Sequence, residues 1–357
     1  MFGLYNEENG RRYNMKLLST KSRRAKIGFL VSTLLIIILM ATFLPACTTT
    51  PAEEITLTMI SGWPESVAFN DMLKVFIDKV NDAGEGKVYI DFLGGPEVAA
   101  IGEQVGLVRD GVYDMCHSTG GYYGGIVPAS VPLYYAPPDP VLLRQIGVTA
   151  LADDFHRAQG GVSFLGFCTR GEPFTIVSKE KITSADFSGY LMHTLPMFTA
   201  ALIYLGASTT TLDVPDFYVA LQTGVVDAIP CPLATVPYDY GLYEVADYIL
   251  YPPMPLTTSG HVLINEARWD GLPEDVKDLL TEKMIETEAL VLDHFEAATE
   301  EVIVKLLDVG MEIVELPAAE ADKYMYAFTD YIWGQFADKN PDWIPQMYDM
   351  CKPYLGQ

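Results

Sequence analysis

The side chains with catalytic potential stand apart from one another in this sequence. Its five histidines, His117, His156, His193, His261 and His294, form no H-E-x-x-H metal pair. No serine sits in G-x-S-x-G, and no Gly-Lys-Ser/Thr or G-x-G-x-x-G run offers a phosphate or dinucleotide cradle. A Cys168/His193 nucleophile pair is chemically conceivable but has no support in spacing. The chemistry left is recognition rather than bond breaking, so no enzyme, cofactor or metal site is read here. Recognition asks for aromatic walls and a few polar groups. Met115–Gly125 carries the paired Tyr122 and Tyr123 in a Gly-rich run whose backbone can turn and approach a ligand. Trp63 and Glu65 follow the first strand, where loops at strand carboxyl ends collect ligand contacts. Packing is the competing role for each of them.

The elements that must hold these residues read as α/β. Ile55–Ile60 is an apolar β-rich run, Ser66–Ala83 a helix with Phe69, Leu73, Phe76, Ile77 and Val80 on its buried face, and Lys87–Phe92 a second strand. Further strands are expected at Val162–Cys168 and Phe174–Val177 and at Glu312–Leu316. A helix of over 30 residues is expected from Leu272-Pro273-Glu274-Asp275 to about Val309, with Val291, Phe295, Ala298, Val302 and Leu306 on one stripe. The Tyr/Trp-rich tail through Tyr354 reads as packing.

One unit occurs twice. Pro215–Asp227 predicts a helix begun near Asp213, closed by Gly224 in the left-handed conformation and followed by entry into a strand at Val225-Val226. Leu107–Asp114 repeats its Gly-Val-x-Asp ending 113 residues earlier, from Gly111 to Gly224. Two similar lobes follow as an expectation.

The segment Ala220-Leu221-Gln222-Thr223-Gly224-Val225-Val226-Asp227 also resembles the A-L-Q-x-G-V-V-D signature of the solute-binding proteins of tripartite ATP-independent periplasmic (TRAP) transporters, dicarboxylate-binding type. The resemblance covers roughly residues 55–350. It implies a two-lobed periplasmic-binding-protein-like α/β fold with mixed sheets flanked by helices and a long lobe-spanning helix. Lobe I would comprise 55–172 and 259–298, and lobe II 173–258 and 299–357. The implied function is a receptor that captures a small organic solute, an organic acid first, in an interlobe cleft and delivers it to TRAP-type membrane permease subunits. Presentation of the ligand to a membrane sensor is the alternative.

Two positions depart from the family pattern. Asp186–Thr194 resembles its D-L-K-G-x-K-I-R stretch, and His193 stands where the family places the arginine that pairs with a ligand carboxylate. Cys231, in Val226–Pro232, stands where many members have an asparagine. Three readings follow. Arg170 takes over the carboxylate, or His193 binds an acid as imidazolium, or the ligand is neutral, aromatic or cationic. In the last case the tyrosines, Trp63, Met197 and Cys231 would wall it, with Glu65 or Glu172 as counter-charge.

Residues 1–46 read as an export signal, with seven basic residues ahead of the apolar run Ile27–Ala46. Leu44-Pro45-Ala46-Cys47 resembles a lipobox, which would lipidate Cys47 and anchor the chain outside the cell membrane through a short tether, 47–54. An uncleaved membrane anchor is the alternative. Without residues 1–46 the chain carries 16 basic against 45 acidic residues, a formal charge of −29, which argues against nucleic acid as a partner. Cys116, Cys168, Cys231 and Cys351 are widely spaced with no C-x-x-C. Buried free thiols are expected, since a chain of about 310 residues needs no staples.

Overall fold

The computed structural model describes residues 54–355. The proposed signal and Cys47 lie outside the described residues, among which no helix is long and apolar enough to cross a membrane. Alternating runs of β-branched and aromatic residues form ten strands: β1 Ile55–Ser61, β2 Val88–Gly94, β3 Met115–Thr119, β4 Val162–Ser178, β5 Leu191–His193, β6 Ser208–Thr210, β7 Ala228–Pro232, β8 Tyr248–Tyr251, β9 Met254–Asn265 and β10 Glu312–Glu315. They join one mixed sheet in the order β2-β1-β3-β9-β4-β7-β5-β6, with β8 pairing both β4 and β10. The parallel group β2-β1-β3 builds one lobe and the parallel group β7-β5-β6 the other. The antiparallel pair β4–β9 carries the chain between them.

The sequence predicts two strands where β4 is a single one of 17 residues. Register shifts against β9 fall between Phe164 and Gly166, Phe167 and Thr169, Arg170 and Pro173, and Pro173 and Phe174. Each shift re-aims side chains and bends the strand, which lets one strand serve two lobes. Gly171, at φ 98°, supplies the left-handed backbone within this passage.

The repeated unit has a structural basis. Helix α2, Ile101–Arg109, and helix α4, Phe217–Thr223, each run into a glycine of positive φ, 75° at Gly111 and 72° at Gly224. (Labels α1 and α3 denote Asp71–Ala83 and Val148–Gly160.) Val112 and Val225 then lie exposed, and the aspartate three residues after each glycine reaches the adjacent parallel strand. Asp114 Oδ2 accepts from the Thr58 N–H and hydroxyl, both at 2.8 Å, and Asp227 Oδ2 from the Leu191 N–H at 2.7 Å. Each carboxylate thereby ties its turn to the neighbouring parallel strand, in the middle of β1 and at the start of β5. Two details differ from expectation. Asp213 makes no side-chain cap, because a 3-10 turn, Val214–Asp216, precedes α4, and the strand opens at Ala228 rather than Val225.

Helix α1 starts later than the sequence suggests. Asn70 spends its amide on the carbonyls of Trp63 and Pro64, at 3.0 and 2.9 Å, and its oxygen accepts from Ser61 Oγ at 2.6 Å. This side-chain clasp holds 68–70 as a 3-10 turn. Phe69 is therefore swung out of the α1 stripe, which buries Met72, Leu73, Phe76, Ile77 and Val80.

Helix α5, Glu274–Asp308, has 35 residues, about 52 Å at 1.5 Å per residue. Val276, Leu280, Met284, Val291 and Phe295 enter the core beneath β1, β2 and β9, whereas Val302 and Leu306 enter that of the second lobe. Its buried Glu288 takes a two-pronged ion pair from Arg144, at 2.7 and 2.9 Å, and accepts from the Phe167 N–H at 3.1 Å. The tail packs on both sides, Trp343 against Phe155 and Tyr324 against Phe187. The four cysteines among the described residues, Cys116, Cys168, Cys231 and Cys351, are free and buried.

Candidate functional site

A cleft of about 680 Å³, counting the part open to solvent, lies where both lobes meet the crossing strands. The loop after β1 gives it Trp63 and Phe69, stacked at 4.8 Å between ring centroids. The end of β3 and the turn after it add Thr119 and Tyr122, and the 3-10 run Pro128–Tyr135 adds Tyr134. The crossing strands contribute Phe174, Thr258, Ser259 and Gly260. From the second lobe come His193, Leu195, Met197, Leu212, Val214, Phe217, Pro230, Pro232, Val236 and Tyr240. Among the described residues no Asp, Glu, Lys or Arg lines it.

The polar groups of the wall are few. The Leu212 N–H donates to His193 Nδ1 at 3.2 Å, and the ring packs on Phe217 at 4.6 Å. Burial pulls this imidazole down to about 4, so it is neutral at pH 7. Burial, with Asp213 and Tyr240 adding to it, pushes the Tyr122 hydroxyl up to about 12. Thr119 and Tyr134 share a short hydroxyl–hydroxyl hydrogen bond. Thr258 Oγ1 is buried without a hydrogen-bond partner among the described residues.

Behind the cleft runs a buried polar seam. Arg170 is fully buried on β4 and donates to the carbonyls of Pro137 at 3.0 Å, Leu133 at 2.9 Å and Ala136 at 2.6 Å, and to Ser259 Oγ at 2.9 Å. It faces Phe167 at 5.0 Å and forms no ion pair among the described residues. Burial lowers its pKa to about 9, which leaves it charged at neutral pH. From Ser259 the seam continues through His261 Nε2 at 2.7 Å, Tyr123, His156 and the carbonyl of Ala152.

Four of the sequence candidates, Trp63, Tyr122, His193 and Met197, meet in the cleft. The other four do not line it. Glu65 is exposed on the loop, because Asn70 holds the backbone of Trp63 and Pro64 while the next residue points outward. Tyr123 is one helical step from Tyr122 in the turn Gly120–Tyr123, about 100° around the axis, and so faces the core. Arg170 sits in the seam. Cys231 is 1% exposed, between Pro230 and Pro232, which do line the cleft. Alternation along β7 turns its thiol to the far face, near Glu172. Glu172 is also sealed off. Its Oε1 accepts from the Thr235 N–H and hydroxyl at 2.8 and 2.9 Å, its Oε2 has no partner, and burial raises its pKa to about 7. Sequence reasoning missed Phe69, Tyr134, Tyr240, Thr258 and Ser259. The run Thr257-Thr258-Ser259-Gly260, small and polar within an apolar strand, was the available signal. Among the described residues no cluster of three or more His, Cys, Asp or Glu could hold a metal.

The fold recurs in known proteins. Residues 61–339 match the family described as bacterial extracellular solute-binding protein, family 7, and the chain belongs to it. A monocarboxylate 2-oxoacid-binding periplasmic protein of Nostoc sp. is 24% identical over 269 residues, covering 72% of each chain. A TRAP periplasmic solute-binding protein of Desulfovibrio salexigens, solved with orotic acid, aligns at TM-score 0.73 and 17% identity over 84% of this chain and 99% of that one. An extracytoplasmic solute receptor of Bordetella pertussis that binds pyroglutamic acid aligns at TM-score 0.72 and 18% identity over 83% and 99%.

Proposed function

We propose that the protein is the extracytoplasmic receptor of a TRAP-type secondary transporter, capturing a small organic solute in the cleft and delivering it to the permease subunits. The observation that carries this reading is the cleft itself: an apolar and aromatic chamber with a few convergent polar groups, shared by two lobes that β4, β9 and α5 all serve. A solute touching both lobes would favour their closed arrangement over an open one. Organic acids are the ligands that the names of several relatives state, and they head the list of solutes to test. In the same reading residues 1–46 are a lipoprotein signal, Cys47 carries the lipid, and the receptor stays tethered to the outer face of the cell membrane.

The test is thermal unfolding of the full chain in detergent against organic acids, amines and neutral aromatics. A solute at 100 times its dissociation constant adds about 2.7 kcal/mol to stability, and a broad panel that produces no shift would sink the receptor reading. Lipid attachment is tested separately by Cys47→Ala, which should release the protein from the membrane fraction.

A further inference from the structure

We infer that the solute of this cleft is a small organic cation, its charge seated among the aromatic rings beside Asp213 and an oxygen of it accepting from His193. The inference rests on the receptor reading and names the solute class of that same site.

The charges around the cleft carry the first argument. Every Asp, Glu, Lys or Arg within two positions of a lining residue is acidic: Glu65, Asp71, Glu172, Asp213, Asp216 and Asp239. Asp213 stands between Leu212 and Val214, which both line the cleft, and its charge acts on the Tyr122 hydroxyl of the other lobe. Glu65, Asp216 and Asp239 are exposed like it, whereas Asp71 is taken by His294 at 3.3 Å and Glu172 is sealed. Lys305, which acts on Asp239, is held by Glu301 at 2.7 Å. A cation approaching these carboxylates is drawn in and an anion is repelled.

The second argument is that both routes to a carboxylate are closed. Arg170 is fully buried in the seam, its guanidinium taken by three carbonyls and the Ser259 hydroxyl. His193 is held neutral by more than burial. Its Nδ1 accepts from the Leu212 N–H at 3.2 Å, so a second proton placed there would face another donor. The single proton of the ring therefore sits on Nε2, which has no hydrogen-bond partner among the described residues and is not one of their sealed polar atoms. Since the residue is only 1% exposed and lines the cleft, Nε2 opens onto the cleft. It offers a dipole to a hydroxyl or carbonyl oxygen, and no net charge to repay an anion for its lost hydration.

What the cleft does supply suits a cation. Trp63, Phe69, Tyr122, Phe174, Phe217 and Tyr240 all line it. Aromatic rings attract an alkylated ammonium without asking it for a hydrogen bond, and the attraction grows where water is excluded.

The experiment is calorimetric titration of the full chain in detergent with two matched series. One is choline, its uncharged carbon analogue neohexanol, and the anion of tert-butylacetic acid. The other is tyramine, para-ethylphenol and para-hydroxyphenylacetate. In at least one series the cation should bind tenfold or more tighter than both companions, and added salt should weaken the cation alone. Asp213→Asn, at an exposed residue that caps no helix, should leave the melting temperature of the free protein unchanged. It should cost the cation threefold or more and spare the neutral member. Tyr122→Phe, which keeps the ring, should retain the preference, and Tyr122→Leu, checked for folding by the same melt, should reduce it. Ethyltrimethylammonium, which lacks the oxygen, should bind more weakly than choline, a difference that His193→Phe removes. Neutral or carboxylate members that bind as tightly as the cations, or an Asp213→Asn chain with full cation affinity, would overturn the inference and leave the receptor reading standing. Binding of other organic solutes but of neither cation would overturn it as well, whereas a chain that binds no solute of any class fails as a receptor altogether.

Discussion

Arg170 and Glu172 stand two residues apart on β4, both sealed from solvent, in surroundings built on opposite terms. The guanidinium has four hydrogen bonds at 2.6–3.0 Å, three of them to carbonyls of the 133–137 segment. The carboxyl takes two bonds on one oxygen, both from Thr235, and no described residue bonds the other. A register shift between Arg170 and Pro173 separates them. The difference teaches that burial of a charge by itself says little about role. A saturated group is a fastener, and a half-satisfied one is a place where protonation still decides energy.

The sharpest way to break this contrast is Arg170→Met. It strands three carbonyls and Ser259, and should cost roughly 3–5 kcal/mol in urea unfolding. A loss below about 1 kcal/mol would show that the seam is not a fastener. Tyr123→Phe comes next, because it leaves His156 Nε2 and His261 Nδ1 buried and unpaired. About 2–3 kcal/mol should be lost, again by urea unfolding.

Glu172→Gln tests the other half. The carboxyl is raised from 4.5 to about 7 in the folded state, so between those values the folded form holds a proton that the unfolded form has released. Its contribution to stability is therefore full below pH 4.5 and falls as pH rises toward 7. The amide mimics the protonated form, and the variant should be more stable than the parent by about 3 kcal/mol at pH 8, with this part of the pH dependence gone. Equal stability of parent and variant across pH 5–8 would mean that Oε2 is satisfied after all. The baseline is Lys87→Ala, which removes an ion pair with Asp275 whose side chains are 57% and 62% exposed. Its effect should fall below what urea unfolding resolves.

The sequence was most legible where local backbone chemistry decides the outcome. Gly111 and Gly224 declare their left-handed turns, and the stripe through Val291, Phe295, Val302 and Leu306 declares α5. The site was less legible because its contacts are long-range. Arg170 finds its three carbonyl acceptors 33 to 37 residues away and its fourth, Ser259, 89 residues away, and nothing in Cys168–Glu172 hints that they exist. Tyr122 and Tyr123 are adjacent and alike, and only the one-turn helix beginning at Gly120 sends one to the cleft and one to the seam. Phe69 matches the apolar stripe of α1 and leaves it only because Asn70 prefers loop carbonyls. His193 is the instructive case. Its identity was plain, yet its charge depends on burial and on an N–H from Leu212, 19 residues on.

Helix α5 has a consequence for how the chain comes apart. One continuous rod supplies core residues to both lobes, and β4 and β9 are likewise shared. Neither half of the molecule owns a complete interior. A fragment cut at the lobe boundary would expose a helix stripe and two raw strand edges, and should not fold alone. On heating, the lobes should melt together in a single calorimetric peak.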